Sequence, residues 1–109
     1  MVIDADAAFG SQPIGETTAA VYSLHATKNL GIGEGGIVAG ADPGFIDRIC
    51  KTSNFGLEAG GIRHIGTNAK LSEYHAAVGL AMLERWQRRK GVKRRLFQAY
   101  RNRLDGLKR

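Results

Sequence analysis

The sequence predicts an α/β chain. Three observations carry this. Short apolar, β-leaning runs occupy the first forty residues, a capped amphipathic helix follows, and from Leu71 the apolar spacing changes to steps of three and four. Val2 and Ile3 read as the end of a buried strand, with Asp4 at its C-terminal edge. SQPIGETT is a polar turn region, and AAVYSLH (19–25) is a second buried strand. ATKNLGIGE is a loop, and GGIVAG (35–40) is a third short strand. Asp42 is placed to cap a helix that opens on Pro43 and carries Phe45, Ile46 and Ile49 as its apolar stripe. Residues 56–70 form a glycine-rich loop without a signal of its own. A loop of that length inside a compact domain is usually functional or mobile.

Ser72 and Glu73 suit a helix start. Leu71, His75, Val78, Met82 and Trp86 then recur on one face, and Val92, Leu96, Tyr100, Leu104 and Leu107 continue a stripe beyond Gly91. The reading is one long helix broken or kinked at Gly91, or two helices in series. Two or three strands make a small sheet with open edges. The chain therefore either oligomerises or is the central part of a larger domain.

Charge divides the 109 residues. Residues 1–84 carry five Lys/Arg against nine Asp/Glu, and residues 85–109 carry eleven against one. The basic character belongs to the last segment. A basic module that meets nucleic acid or an anionic surface is one reading of it. A solvated helix face is the other, and the aromatic residues Trp86, Phe97 and Tyr100 fall at or near helical core spacing, which favours the solvated face. No apolar run approaches the length that spans a membrane, and the acidic N-terminus lacks the basic start of a secretory signal. The single cysteine, Cys50, suits a reducing cytosol and is expected to be buried near Ile46 and Ile49. Cys50, His25, His64 and His75 lack the spacing of a metal site.

The chemistry concentrates in SLHATKNLGIGEGG, residues 23–36. Gly31, Gly33 and Gly36 match G-x-G-x-x-G, but a dinucleotide fingerprint must follow a strand and open a helix, and here the glycines run into another strand. The Walker order Gly-Lys-Ser/Thr is absent. Tight turns between two strands explain the glycines without a phosphate. Lys28 lies just past a buried strand, where solvated lysines are ordinary and α/β active sites also gather. By context alone it is a surface lysine or a Schiff-base amine.

Three segments settle a resemblance together: VIDADAAFGS, VYSLHATKNLGIGEGG and HIGTNAKLSEYHAAVGLAMLERW. In order and spacing they resemble the pyridoxal-phosphate-dependent sugar aminotransferases of the DegT/StrS group, and the similarity extends through KRRLFQAYRNRL. The resemblance implies a fragment of the large domain of the aspartate aminotransferase-like fold (fold type I). Residues 1–84 would be part of that pyridoxal-phosphate-binding domain. Residues 85–109 would be a basic helical segment leading towards a small C-terminal domain. It also implies transfer of an amino group, from a donor such as glutamate, to a nucleotide-linked keto sugar in polysaccharide or glycoconjugate synthesis, by a cytoplasmic homodimer without nucleic-acid or membrane partners.

Carried over by residue, Lys28 becomes the Schiff-base lysine and Asp4 the carboxylate facing the pyridine nitrogen. Ser23 becomes a donor to the cofactor phosphate. Asn68 becomes an asparagine that reaches the phosphate of the neighbouring subunit's cofactor. His25 is a structural neighbour of the lysine. The position usually held by Gln or His against the ring is Ala7. Other readings are a regulator or dehydratase of the same fold, for which some relatives replace the lysine present here, and a non-catalytic remnant, with the chain alone a poor catalyst.

Overall fold

The computed structural model describes residues 1–16, 18–105 and 107. Its elements are β1 (Val2–Asp4), β2 (Ala19–Ser23), β3 (Gly36–Gly40), α1 (Pro43–Ser53), β4 (Leu57–Glu58), β5 (Gly61–Ile62), α2 (Glu73–Glu84) and α3 (Trp86–Asp105). The first three strands form one sheet in the order β1-β2-β3. β1 runs parallel to β2, with Asp4 opposite Val21, and β3 returns antiparallel, with Gly36 opposite Ser23.

Register assigns the faces. Side chains alternate along a strand, and registered partners share a face. Ile3, Ala20, Tyr22, Ile37 and Ala39 therefore lie on one side, and they join Ala5 in a buried cluster. Asp4, Val21 and Ser23 lie on the other. Leu24, Leu30 and Ile32 form a second cluster against Leu71, Met82 and Trp86, and Phe9 and Ile37 belong to both. Phe9 meets Tyr22 edge-on at 5.5 Å and Trp86 edge-on at 5.0 Å, so one aromatic ring joins the sheet to the helices.

Local signals act where the sequence places them. The Asp42 carboxylate accepts from the N–H groups of Gly44 and Phe45 at the start of α1. The Ser72 hydroxyl accepts from the His75 N–H at the start of α2. Three expectations change. Residues 56–70 are not featureless, because β4 and β5 pair as a short antiparallel hairpin. The helical break falls at Arg85 rather than Gly91: Arg85 has ψ of 0°, away from the helical value, and the chain turns there so that Trp86 can reach Phe9. Gly91 lies within α3. Cys50 is exposed, while Phe45, Ile46 and Ile49 of α1 are half-buried.

The radius of gyration is 17.8 Å and the longest extent 66 Å. A compact chain of this length would have a radius near 13 Å, about 2.2·N^0.38. The excess reflects α3, whose twenty residues extend about 30 Å at 1.5 Å each. Its Val92, Leu96, Tyr100 and Leu104 are exposed, as is Leu107 beyond it. Of the expected segment 85–109, residues 106, 108 and 109 lie outside the described residues.

Candidate active site

The site is built on the C-terminal ends of the two parallel strands, the edge where α/β sheets commonly bind ligands. β1 ends on Asp4 and β2 on Ser23, and the register sets both on the face opposite the main core. Each strand then feeds a tight loop. After β1, the Ala8 N–H bonds the Ala5 carbonyl, and the Asp6 N–H donates to Asp4 Oδ1 at 3.1 Å. After β2, the chain folds back through residues 24–33. The Leu24 N–H bonds the Gly35 carbonyl, the Ala26 N–H the Gly33 carbonyl, and the Ile32 N–H the Leu24 carbonyl. Leu30 is 1% exposed and anchors this loop in the second cluster.

Lys28 sits on that anchored loop, its N–H bonded to the His25 carbonyl. Its Nζ donates to Asp6 Oδ2 in a close ion pair that is neither fully buried nor fully open. Asp6 is thus a junction. Its N–H binds the Asp4 carboxylate, its carbonyl accepts from the Ser23 N–H at 3.3 Å, and its own carboxylate holds Lys28. Through this one residue the structure gathers Asp4, Ser23 and Lys28.

The Ser23 hydroxyl accepts from the His25 N–H at 3.1 Å, which leaves its own proton to donate. His25 Nδ1 contacts the Thr27 hydroxyl at 2.9 Å, and Nε2 lies 3.6 Å from Glu34. His25 thus braces the loop that carries the lysine. Asn29 bonds the Ala7 carbonyl at 2.8 Å and accepts from Lys93 of α3 at 2.6 Å, so the lysine loop is tied on both sides.

The glycines answer to packing. Gly33 and Gly35 have φ of 114° and 141°, in the region L side chains rarely adopt. A Cβ on Gly33 would lie 2.9 Å from His75 Nε2, and one on Gly35 would lie 2.6 Å from Leu71 Cδ1. Bare backbone is needed there because α2 lies against the loop.

Asn68 is not part of this cluster. It is exposed and forms an isolated antiparallel bridge with Asn54 at the end of α1. The flanking Thr67 and Ala69 N–H groups bond the carbonyls of Thr52 and Ser53. Beside them Lys70 bonds the Asn54 side chain and lies 4.4 Å from the Phe55 ring centroid. Asp6 and Asn29 were not singled out from the sequence. The signal for Asp6 was the Asp4-x-Asp6 spacing just after a strand, which returns a second carboxylate to the same edge.

An amine, a carboxylate and a hydroxyl with an unspent proton are a donor set that fits pyridoxal phosphate, which presents an aldehyde, a basic ring nitrogen and a phosphate. Among the described residues no group of three or more His, Cys, Asp or Glu is placed to hold a metal, and no helix is long and apolar enough to cross a membrane.

The sequence profile of the DegT/DnrJ/EryC1/StrS aminotransferase family matches residues 1–109. The chain belongs to this family. It is 36% identical over 108 residues to protein Rv3402c of Mycobacterium tuberculosis, an overlap of 93% of this chain and 26% of that protein. It is 40% identical over 65 residues to the dTDP-4-amino-4,6-dideoxy-D-glucose transaminase of Shigella dysenteriae, covering 59% of this chain and 18% of that enzyme. Among solved structures, a Bacillus cereus protein assigned as a PLP-dependent aminotransferase superposes with a TM-score of 0.87 at 33% identity, over 98% of this chain and 31% of that one. The family member thus has the α/β architecture of the PLP-dependent aminotransferases, and it spans about a quarter of the length of the curated relatives it matches.

Proposed function

We propose that this family member is a pyridoxal-phosphate-dependent aminotransferase that moves an amino group, from a donor such as glutamate, onto the keto group of a nucleotide-linked sugar. The observation that carries the reading is the convergence of Lys28, Asp4 and Ser23 on Asp6 at the C-terminal edge of a parallel strand pair. Family membership supports the aminotransfer, and the similarity to the Shigella transaminase supports the nucleotide-sugar substrate.

The cofactor, when bound, supplies an electron sink that lets a proton leave the carbon bearing the amino group. The chain's own residues do the rest. Lys28 would hold the cofactor through its aldehyde, and its Nζ, when free, would be the group that carries a proton at the reacting centre. The Asp4 carboxylate would face the ring nitrogen and keep it protonated. The Ser23 hydroxyl would donate to a phosphate oxygen. Asn68, exposed and apart from this cluster, serves the site of a second subunit in a homodimer. Residues 1–84 belong to the cofactor-binding domain, and residues 85–109 lead from it towards a C-terminal domain. The protein works in the cytoplasm, in the synthesis of polysaccharide or glycoconjugates.

The test is borohydride reduction of the full-length protein with pyridoxal phosphate, followed by peptide mass analysis, in parallel with an assay of amino-sugar formation from glutamate and a keto sugar nucleotide. The pyridoxyl group is expected on Lys28. Lys28→Ala should lose it, and amino transfer should fall at least about a hundredfold. Transfer at the wild-type rate in Lys28→Ala overturns the assignment.

A further inference from the structure

We propose that Asp6 is a positioning residue for Lys28, an anionic latch that holds the amine at the strand edge whenever it is not covalently engaged. The proposal deepens the cofactor reading above and rests on it for its purpose, though not for its test. Lysine carries four rotatable bonds and samples many rotamers when unrestrained. Here the ammonium is fixed by one carboxylate. That carboxylate belongs to a residue whose own backbone is fixed at both groups, the N–H by Asp4 and the carbonyl by Ser23.

The neighbouring charges are engaged elsewhere. Glu34 faces His25, and the Asp4 carboxylate accepts from the Asp6 N–H. Asp6 is therefore the anion in contact with the lysine, and the contact is made between two loops rather than within one, since the residues are 22 apart in sequence.

Two consequences follow. The latch keeps a released Lys28 beside Asp4 and Ser23 in place of letting it swing into solvent. It also occupies the amine, so a carbonyl can be attacked only after the pair opens. Removing the Asp6 charge should make Lys28 more reactive towards a neutral acylating reagent and at the same time less well placed.

The experiment is trace acetylation of the full-length, cofactor-free protein with acetic anhydride at neutral pH. The rate at Lys28 is read by peptide mass analysis against Lys90 as an internal reference. Asp6→Asn should raise the Lys28 rate about two- to five-fold, the range expected of a partly exposed ion pair. Asp6→Glu, which keeps the charge, should stay nearer wild type than Asp6→Asn. Raising the salt concentration should speed Lys28 in the wild type and leave Asp6→Asn unchanged, a result that needs no comparison of folding between variants. An unchanged rate in Asp6→Asn together with a salt-insensitive wild type overturns the latch. A slower rate in Asp6→Asn also overturns it, because Asp6 would then be accepting the proton from the attacking amine. Failure of the cofactor assignment would appear separately, as absent borohydride trapping on Lys28 with the labelling pattern intact.

Discussion

The two apolar stripes of the C-terminal half have the same spacing and opposite fates. In the first, Leu71, Met82 and Trp86 pack on Leu24, Leu30 and Ile32 beneath the lysine loop. In the second, Leu96 is 56% exposed and Tyr100 61%. Periodicity identifies the apolar face of a helix but not what covers it. The first stripe meets a loop whose glycines admit a helix at close range, while the second meets no apolar cluster among the described residues. The loop that carries Lys28 packs on the first stripe, and α3 reaches it through Lys93 rather than through its apolar stripe. Met82 and Trp86 pack in the cluster that holds Leu30, which anchors the loop on which Lys28 meets Asp6.

The sharpest way to break this comparison is to truncate one leucine on each side. Leu30→Ala should cost about 2–5 kcal/mol, since a buried leucine loses both transfer energy and packing. Leu96→Ala should stay within about 0.5 kcal/mol, as exposed positions usually do. Urea denaturation of both variants measures the contrast. Equal costs would mean that the α3 stripe is covered in solution.

A smaller effect sharpens where the helix breaks. Gly91 lies inside α3, and a Cβ there would meet nothing closer than Arg95 Nη1 at 3.8 Å. Gly91→Ala should therefore stabilise by about 0.5–1 kcal/mol. Destabilisation would place the break at Gly91 after all. The denaturation midpoint reads the sign directly.

The smallest effect lies on α1, which braces the segment that carries Asn68. The Asp47 side chain accepts a hydrogen bond from Lys51 and, with Glu58 nearby, raises the lysine pKa above its ordinary 10.5. A raised folded-state value means that the stabilisation is fully present below pH 10.5 and is lost as pH climbs through the folded value. Wild type should thus be slightly more stable than Lys51→Met from neutral pH upward, with the gap closing above 10.5. Denaturation midpoints across that range test the direction.

Much of the fold was legible because its signals are local. Asp42-Pro43 and Ser72 start helices through their own side chains and ring geometry, and alternation places Ala20 and Tyr22 on one face of β2 whatever surrounds them. The family resemblance, rather than local chemistry, singled out Lys28, Asp4 and Ser23, and the strand register sets Asp4 and Ser23 at one edge. The Asp6 junction was not legible. It depends on a backbone turn that points one carboxylate at a lysine 22 residues away, and neither residue type demands that partner.

The exposure of Cys50 and the break at Arg85 escaped the sequence for the same reason. Each is set by what a helix packs against, and Arg85 breaks because Trp86 finds Phe9. By itself the sequence determined the first three strands, the starts of α1 and α2 and the apolar faces, since these follow from side-chain size, branching and hydrogen-bonding capacity within a few positions. Only the tertiary structure decided which apolar stripe is covered, where the helix turns and which carboxylate holds the lysine. Those outcomes depend on distances between segments far apart in the chain, and local chemistry does not encode them.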